Sequence, residues 1–331
     1  MQSVFDELYE NSLANCEFKN LLSIITTEEN IRLAYRNLKK NTGSKTPGTD
    51  GKTIADLAEM SESELIHVVQ KKFEWYQPQS VRRKDIPKGN GKTRPLGIPT
   101  IMDRLIQQCI LQVMEPICEA KFCDTSNGFR PNRGVENALA QAEKHMQTSN
   151  LHIVIDIDIK GFFDNVNHGK LLRQIWAMGI HDKKLLCIIS AMLKAEVAGI
   201  GFPDKGTQQG GVISPLLSNI VLNELDWWIT SQWVGMPTRH EYSGRIHENG
   251  TKDQSKKYRE LRKTKLKECY IVRYADDFKI FCRKHSDAVK LFEATKAWLK
   301  DRLGLDISPE KSKIVNLKHD YSDFLGFRIK V

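Results

Sequence analysis

Two adjacent carboxylates, Asp276 and Asp277, interrupt an otherwise apolar segment, IVRYADDFKIF, at residues 271–281. Aspartate is disfavoured in strands and costly to bury, so its position between two runs of strand-forming residues needs a reason. One reading is a hairpin turn whose carboxylates face water. The other is a metal site at the turn of a strand–turn–strand unit, and the pair alone does not decide between them.

Further carboxylates end a second predicted strand. In IVIDIDIKGFFD, Asp156 and Asp158 share one face because side chains alternate along a strand, and Asp164 follows the strand end. If the two acidic strands are neighbours in a sheet, their carboxylates converge and repel one another. A pair of Mg²⁺ ions would relieve that repulsion, because hard cations prefer oxygen ligands. Two such ions can activate an attacking hydroxyl and stabilise the leaving oxygens of a displacement at phosphorus.

The basic composition favours a polyanionic partner, either nucleic acid or an anionic membrane. The 331 residues are 40% hydrophobic, enough for a large core, and carry a net charge of +9. The first thirteen residues lack an apolar core and no apolar run could span a bilayer, so we expect neither a secretory signal nor a membrane contact. Seven cysteines without a secretory signal predict a reducing, cytoplasmic location of bacterial or organellar type.

The positive charge is concentrated in a few segments. Six of the thirteen residues from Arg82 to Arg94 are Lys or Arg, and Asn90–Gly91 among them is a hairpin-turn signal. Residues 236–267 contain ten Lys or Arg and four Asp or Glu, which suggests an inserted loop with a short basic helix. Either segment could be a solvated charged surface. Contact with phosphate groups is the alternative, and two further loops, 41–51 and 126–134, are candidates for the same role.

The elements that must position these residues follow from periodicity and breaker residues. Helices are predicted at 27–40 with Thr27 as the cap, at 102–121, 168–178, 182–195, from about 215 to 233, and at 286–303. Strands are predicted at 151–159 and on both sides of Asp276–Asp277. Residues 304–317 suggest a further strand–turn–strand, and the chain is expected to finish on a strand.

Five motifs in a fixed order resemble those of reverse transcriptases. YADD (274–277) resembles the active-site hairpin of that family, DIKGFFD (158–164) its first metal-binding motif, and QQGGVISP (208–215) the motif beneath the incoming base pair. The segment from Ile86 to Pro99 resembles the fingers hairpin, and FLGF (324–327) the late primer-side motif. SNGFRP (126–131) and SPLLSNI (214–220) are most similar to the group II intron-encoded members, also called maturases.

The resemblance implies unequal roles for the carboxylates. Asp158 and Asp276 would be the main ligands of two Mg²⁺ ions, and the backbone carbonyl of Ile159 would help to bind the second ion. Asp277 would be a secondary or orienting carboxylate. Asp156 matches no catalytic position, so we expect it to be structural.

Other positions would bind the incoming nucleotide. Lys88 and Arg94 would clamp its triphosphate, and Gln209 would contact its sugar or base. Phe163 lies where the family has a steric gate against the ribose 2′-hydroxyl, although ordinary packing at a strand end explains it equally well. Gln208 stands where the family usually has proline, a departure expected to alter the local turn more than the chemistry.

The basic segments would contact nucleic acid. The expected contacts are Lys45, Arg82, Arg83, Arg130, Arg133, Lys256 and Lys257. The implied partners are group II intron RNA, an RNA template, a DNA primer and a dNTP, and the sequence leaves open whether the chain forms a homodimer.

The expected fold is α+β, with the fingers and palm of a right-hand polymerase, an antiparallel palm sheet backed by helices, and no thumb. Residues 1–27 would form an N-terminal extension and 28–100 the first part of the fingers. The palm would begin with 101–168, the fingers resume with 169–208, and the palm end with 209–331, including the basic insertion.

The expected function is RNA-directed DNA synthesis by nucleotidyl transfer from a dNTP to a primer 3′-hydroxyl, combined with assistance to intron splicing. The alternative is an RNA-binding splicing cofactor in which this thumbless fragment is catalytically weak or inactive. A third class comprises other palm enzymes. The fingers hairpin and the Gln-Gly-Gly turn disfavour a nucleotide cyclase, and Phe163 disfavours an RNA-dependent RNA polymerase.

Overall fold

The computed structural model describes the chain apart from residues 88–92, 243, 247 and 249–251. It divides into two compact units, each assembled from separate stretches of sequence. The first unit consists of Met1–Phe122, Gly161–Val221 and Leu303–Leu305. The second consists of Cys123–Lys160, Leu222–Arg302 and Asp306–Val331.

The boundaries of these two units differ from the expected boundaries between fingers and palm. The first expected palm segment began at residue 101, but residues up to Phe122 belong to the first unit because the helix there packs against the N-terminal helices. The polymerase subdomain assignment therefore stays a prediction, while the interleaving of two units in sequence is observed.

The first unit is mainly helical. Its helices are α1 (Gln2–Leu13), α2 (Leu21–Ile25), α3 (Glu28–Lys40), α4 (Ile54–Ala58), α5 (Glu62–Glu74), α6 (Ile101–Glu119), α8 (Phe162–Asn165), α9 (His168–Ala177) and α10 (Lys183–Leu193). Helix α11 (Ser214–Gln232) begins in this unit and ends in the second. None of the helices in the described part of the chain is long and apolar enough to cross a membrane.

Helix α6 is the centre of the first unit. Most of its residues are buried, and α1, α2 and α3 all pack against it. The predicted cap of α3 is confirmed, since the Thr27 side chain accepts a hydrogen bond from the Asn30 N–H. Asn30 in turn meets Gln112 of α6, whose amide donates to the Asn30 side chain at 2.6 Å. A buried polar pair that is satisfied in this way fixes the register of α3 on α6.

The predicted basic hairpin is also observed in this unit. Strand β1 (Arg82–Pro87) pairs antiparallel with β2 (Thr93–Ile98), from Arg82 opposite Ile98 to Pro87 opposite Thr93. The expected turn around Asn90–Gly91 lies outside the described residues. The start of α6 holds the segment that leads into the hairpin, because the buried carboxylate of Asp103 accepts hydrogen bonds from the Tyr76 hydroxyl and the Gln79 N–H.

The second unit contains a four-stranded antiparallel sheet. Its spatial order is β4 (Cys269–Tyr274), β5 (Asp277–Cys282), β3 (Ile153–Ile157) and β6 (Lys313–Asn316). The helices of this unit are α7 (Val135–Glu143), α12 (Ser255–Leu261) and α13 (His285–Trp298), together with the end of α11. The expected palm-like arrangement of antiparallel strands and helices is thereby confirmed, with α7 packed against β4 and α13 against β3.

Two predictions near the C-terminus differ from the structure. Residues 304–317 form only an isolated bridge at Ile307 followed by β6, not two full strands. The expected final strand is a short hairpin, β7 (Ser322–Phe324) and β8 (Phe327–Ile329). The chain reverses there because Leu325 and Gly326 both have positive φ, of 54° and 86°.

A buried ion pair connects the sheet to α11 within the second unit. The guanidinium of Arg273 in β4 donates to both carboxylate oxygens of Asp226 at 2.7–2.9 Å, and both side chains are fully buried. The same guanidinium donates to the backbone oxygen of Ala275 at 2.7 Å. The ion pair therefore reaches the turn that follows β4.

Breaking this ion pair should destabilise the protein strongly. In Asp226→Asn the shape of the side chain is kept but the buried guanidinium loses its counter-charge, so the free energy of unfolding in urea should fall by about 3–5 kcal/mol. The control is Glu224→Gln in the same helix, whose carboxylate pairs with the exposed Arg302 at 2.7 Å. That change should cost about 1 kcal/mol or less, and equal losses in the two variants would contradict the assignment.

Candidate active site

The three predicted carboxylates lie at one end of the sheet in the second unit. Strands β3 and β5 are adjacent, and the last pair in their register is Ile157 opposite Phe278. Asp158 follows β3 directly, and Asp277 is the first residue of β5. Neighbouring strands are about 4.8 Å apart, so the register brings Asp158 beside the β4–β5 turn that carries Asp276. The structure thus confirms that the two acidic strands are neighbours.

The backbone beyond β3 leaves the Ile159 carbonyl outside the local pairing. Ile159 forms an antiparallel bridge with Ile307. The hydrogen bonds of that bridge are made by the flanking residues, from Ser308 N–H to the Asp158 oxygen and from Lys160 N–H to the Asp306 oxygen, both at 2.8 Å. In this arrangement the polar groups of Ile159 point away from residues 306–308. Its carbonyl is therefore not used in this pairing, and its role as a metal ligand stays a prediction.

The Asp158 carboxylate is paired with a lysine that sequence reasoning did not single out. The Lys311 ammonium lies 3.2 Å and 3.3 Å from the two carboxylate oxygens, and the Asp158 side chain is 42% exposed. No group of three or more His, Cys, Asp or Glu side chains able to hold a metal ion occurs in the described part of the chain. The structure therefore shows Asp158 neutralised by an ammonium group, with an open side facing solvent.

Asp156 is structural, as expected. It is 5% exposed, its carboxylate lies 3.2 Å from the Lys279 ammonium, and it accepts the Ser322 hydroxyl at 2.7 Å. Lys279 is opposite Asp156 in the β3–β5 register. A buried carboxylate is tolerated only when paired and hydrogen-bonded, and both conditions are met here. The Ser322 contact also connects β3 to the C-terminal hairpin.

Asp277 has a different environment from Asp276. Burial raises the pKa of the Asp277 carboxyl above its ordinary value, while Lys279, 3.7 Å away, opposes that rise. The backbone N–H of Leu325, in the β7–β8 turn, also donates to this carboxylate. Asp277 is thus tied to the predicted primer-side motif. Asp276 lies in the turn itself and, like Asp277, is partly exposed, and the unequal roles expected for the two residues stay a prediction.

A glycine of the 126–131 motif packs against the turn that carries Asp276. A Cβ added to Gly128 would overlap the backbone nitrogen of Ala275 and lie 3.0 Å from the Tyr274 carbonyl carbon. The same loop extends the sheet beyond β4, since Arg273 N–H donates to Thr125 and Asn127 N–H donates to Arg273, at 2.9 Å and 2.8 Å. Only glycine permits so close a backbone approach.

The predicted nucleotide-binding residues belong to the first unit. The Thr207 N–H donates to the Phe163 oxygen at 2.7 Å, so the possible gate residue is bonded to the segment leading into Gln208–Gln209. A Cβ on Gly210 would overlap the Gly97 carbonyl oxygen of β2. The Gln-Gly-Gly turn and the fingers hairpin are therefore in backbone contact. The Phe163 ring is partly buried, edge-on to Phe162 at 5.3 Å between centroids.

A cavity of about 180 Å³ lies beside this contact, between Gly97 of the hairpin and Gln208–Gln209. Two polar atoms in these segments, Gln209 Oε1 and Thr207 Oγ1, are buried without a hydrogen-bond partner among the described residues. Unpartnered buried polar atoms are costly, so they indicate a place where a ligand or water completes the bonding. Arg94 is exposed on β2, and Lys88 lies outside the described residues.

The predicted nucleic-acid contacts have different environments. Lys45, Arg83 and Lys256 are exposed, whereas Arg82, Arg133 and Lys257 are partly buried. Arg130 differs from the expectation, since it is 8% exposed and its guanidinium donates to the backbone oxygens of Cys123 and Ser126 at 2.8 Å. We therefore leave Arg130 out of the proposed contact surface, because its donors organise the loop. Arg133 also bonds within the loop, to Asp124.

The basic insertion is anchored rather than free. Tyr258 of α12 stacks on Trp233 at 6.2 Å and meets Tyr270 edge-on at 6.0 Å. At the end of the insertion, Arg262 and Arg283 both bond to the buried carboxylate of Glu268. Burial raises the pKa of Glu268, but the two guanidinium groups outweigh it and the pKa is lowered overall. The predicted short basic helix is thus confirmed and held against β4.

The family comparison agrees with this geometry. The reverse transcriptase (RNA-dependent DNA polymerase) family matches residues 86–329, most of the chain. The chain belongs to the reverse transcriptase family. Within that family the matched segment includes both acidic strands, the fingers hairpin from Ile86 onward and the C-terminal hairpin.

Several relatives place the chain more closely within the reverse transcriptases. Protein YkfC of Escherichia coli (strain K12) is 33% identical, over 94% of this chain and 83% of the relative. The group II intron-encoded protein LtrA of Lactococcus lactis subsp. cremoris is 32% identical, over 99% of this chain and 60% of its own length. The putative COX1/OXI3 intron 2 protein of Saccharomyces cerevisiae is 28% identical, and the chain spans 41% of it. The resemblance to group II intron reverse transcriptases is thereby confirmed.

Gly128 provides a test of how tightly the turn must be placed. In Gly128→Ala the new methyl group should push the Ala275 peptide, and with it Asp276, out of position. Because misplacements of about 1 Å can cost a hundredfold in rate, primer extension should fall at least about tenfold.

The matched control is Gly169→Ala in α9, where a Cβ would make ordinary contacts with the side chains of Asn167 at 3.5 Å and Arg173 at 4.0 Å. That variant should keep the wild-type rate. Wild-type extension by Gly128→Ala would show that the contact has no bearing on the turn.

Lys311 should compete with a divalent cation for Asp158. In Lys311→Gln the carboxylate loses its ammonium partner, so Mn²⁺, followed by electron paramagnetic resonance without nucleotide, should bind about fivefold more tightly. Lys313→Gln removes an equal charge from an exposed residue of β6 and should change the affinity much less. The same gain in both variants would indicate a general effect of net charge.

Proposed function

We propose that this chain adds deoxynucleotides to the 3′-hydroxyl of a primer under the direction of an RNA template. The observation that carries the proposal is the placement of Asp158 and the Asp276–Asp277 turn at one end of adjacent strands, β3 and β5. Family membership supports the same activity. A nucleotide cyclase or an RNA-dependent RNA polymerase receives no comparable support.

The donor set at this end of the sheet fits divalent cations. Asp158 and Asp276 would hold them with the Ile159 carbonyl, all hard oxygen donors, and Asp158 already attracts a positive charge in the form of Lys311. Two Mg²⁺ ions, when bound, would supply activation of the attacking hydroxyl and stabilisation of the leaving oxygens. Asp277 would orient the turn through Leu325 and Lys279.

The first unit would hold the incoming dNTP. Gln209 supports this role because its amide oxygen is buried and has no partner among the described residues. Phe163 would exclude a nucleotide that carries a 2′-hydroxyl. The hydrogen bond between its backbone and Thr207 would fix the distance between the Phe163 ring and the segment that contains Gln209. Arg94, exposed on β2, and Lys88 would bind the triphosphate, where the guanidinium provides paired donors and the ammonium a point charge.

A second role, binding of group II intron RNA to assist splicing, is favoured by the anchored basic insertion. Its helix α12 is packed against the sheet through Tyr258, while Lys256 and Arg259 are exposed. Such a fixed basic face fits phosphate groups of a structured RNA better than a loop that is merely solvated. LtrA and the yeast relative are named as intron proteins, but the chain spans only 60% and 41% of them. Splicing assistance is therefore proposed for the whole protein.

Substituting the carboxylates separates the two roles. Asp158→Asn and Asp276→Asn should each lower primer extension by about a thousandfold or more, because each removes a ligand used in the reaction. Asp277→Asn should lose clearly less. Binding of a group II intron RNA, measured by filter retention at fixed salt, should stay within about twofold of wild type in all three variants, since phosphate contacts determine affinity.

Two outcomes of the same measurements would contradict the proposal. Extension that survives Asp276→Asn would refute the polymerase assignment. Loss of RNA binding along with extension, in variants whose thermal unfolding is unchanged, would refute the separation of the two roles.

A further inference from the structure

Backbone strain is concentrated around the catalytic turn of the second unit. Six non-glycine residues in the described part of the chain have positive φ. Three are asparagines, for which the left-handed region is readily accessible. The others are Phe129, Ala275 and Leu325, with φ of 56°, 55° and 54°. For side chains of these types a left-handed backbone is costly, so it persists only where the surroundings impose it.

All three residues lie on segments that contact the Asp276–Asp277 turn. Ala275 directly precedes Asp276 in the β4–β5 turn. The Leu325 N–H donates to the Asp277 carboxylate. Phe129 follows Gly128, which packs against the Ala275 nitrogen. Ala275 and Leu325 thus have an evident reason for their conformation, because each shapes a turn of a hairpin. Phe129 is not in a hairpin and needs another reason.

Packing does not provide that reason. Phe129 is 51% exposed, which is unusual for a bulky side chain on a strained backbone. Its ring lies 6.4 Å from the Tyr274 ring, centroid to centroid, at an angle of 45°. Tyr274 is the last residue of β4 and is itself only partly buried. Two aromatic rings therefore stand next to each other beside the turn, and one presents about half of its surface to solvent.

The loop imposes this position from both sides of Phe129. Before it, the Asn127 N–H bonds to Arg273 of β4 at 2.8 Å. After it, the buried Arg130 guanidinium bonds to the Cys123 and Ser126 carbonyls. The Asn127 amide group also bonds to Gln141 of α7 at 3.2 Å. With the chain fixed on either side, the intervening residue is held in the left-handed conformation and its ring is directed outward.

We propose that Phe129, with Tyr274 beside it, is the platform on which the terminal base of the primer strand stacks. This inference rests on the proposed polymerase function, which requires the primer 3′-hydroxyl to lie at Asp158 and Asp276. Successive nucleotides are about 3.4 Å apart along a strand, so a ring beside Tyr274, two residues before Asp276, would be within a few nucleotides of that hydroxyl. Aromatic rings accept every base, which suits a polymerase that must extend any sequence.

The proposal is tested by a double-mutant cycle in which Phe129→Ala is combined with removal of the terminal primer base. The probe is a fluorescein-labelled DNA primer annealed to an RNA template, ending either in a normal nucleotide or in an abasic one. Anisotropy is measured on the full chain in Ca²⁺ without dNTP. Phe129→Ala should weaken binding of the normal primer about five- to a hundredfold.

The abasic primer gives the matched measurement. It should bind wild type and Phe129→Ala equally, within about twofold, because the ring then has no base to contact. An equal loss on both primers would assign Phe129 to general packing or backbone contact and overturn the proposal. No loss on either primer would overturn it as well.

A second pair of variants separates the ring from the backbone strain. Phe129→Gly and Phe129→Asn both remove the ring and suit a left-handed backbone. Their melting temperatures should be no lower than that of wild type, while their binding of the normal primer should be as weak as that of Phe129→Ala. Melting temperatures lower by several degrees, with primer binding unchanged, would show that the ring serves the fold.

The outcome for the proposed function can be distinguished from the outcome for Phe129. If wild type extends the primer but the cycle shows no coupling, the Phe129 assignment is wrong and the polymerase function stands. If wild type neither extends the primer nor discriminates between the two primer ends, both are wrong.

Discussion

The position of the Asp276–Asp277 turn depends on one buried guanidinium. Arg273 is fully buried, and it can be so only because Asp226 neutralises its charge with three hydrogen bonds. Its backbone pairs with the loop at Thr125 and Asn127, and its side chain bonds to the carbonyl of Ala275. A single residue thus connects α11, β4, the adjacent loop and the turn before Asp276. Such a connection favours one geometry for the turn, since any displacement would leave a buried charge unsatisfied.

Besides this ion pair, close contacts between backbone atoms also constrain segments of each unit. Gly128 meets Ala275 in the second unit, and Gly210 meets Gly97 in the first. At each contact a methyl group would overlap a backbone atom, so a side chain of any size is excluded. In both places a motif near the chemistry is positioned by main-chain atoms rather than by side-chain packing. Main-chain contacts are less tolerant of repacking than side-chain contacts, and this suits segments that must keep reactive groups within fractions of an ångström.

Sequence reasoning predicted the acidic strands and the hairpins, because these depend on local patterns and on motifs in order. It did not predict the partners of those residues. Lys311 and Ser322 are more than 150 residues from the aspartates they contact, and nothing in their own neighbourhood marks them. The expectation for Arg130 failed for a related reason. Its acceptors are backbone carbonyls, which every residue has. The sequence around Arg130 therefore shows its charge but not which groups it bonds to.

The carboxylates also differ in the kind of lysine that neutralises them. Asp156 and Asp277 share the ammonium of Lys279. Asp156 and Lys279 are both buried, whereas the Asp277 side chain is 41% exposed. Asp158 has Lys311, which reaches it from the solvent side and is itself 58% exposed. An internal lysine held between two carboxylates is not easily displaced, whereas a long, exposed lysine can move away at little cost. Asp156 therefore keeps its ammonium partner, whereas the ammonium partner of Asp158, the proposed metal ligand, can be displaced. This leaves Asp158 free to exchange one positive charge for another.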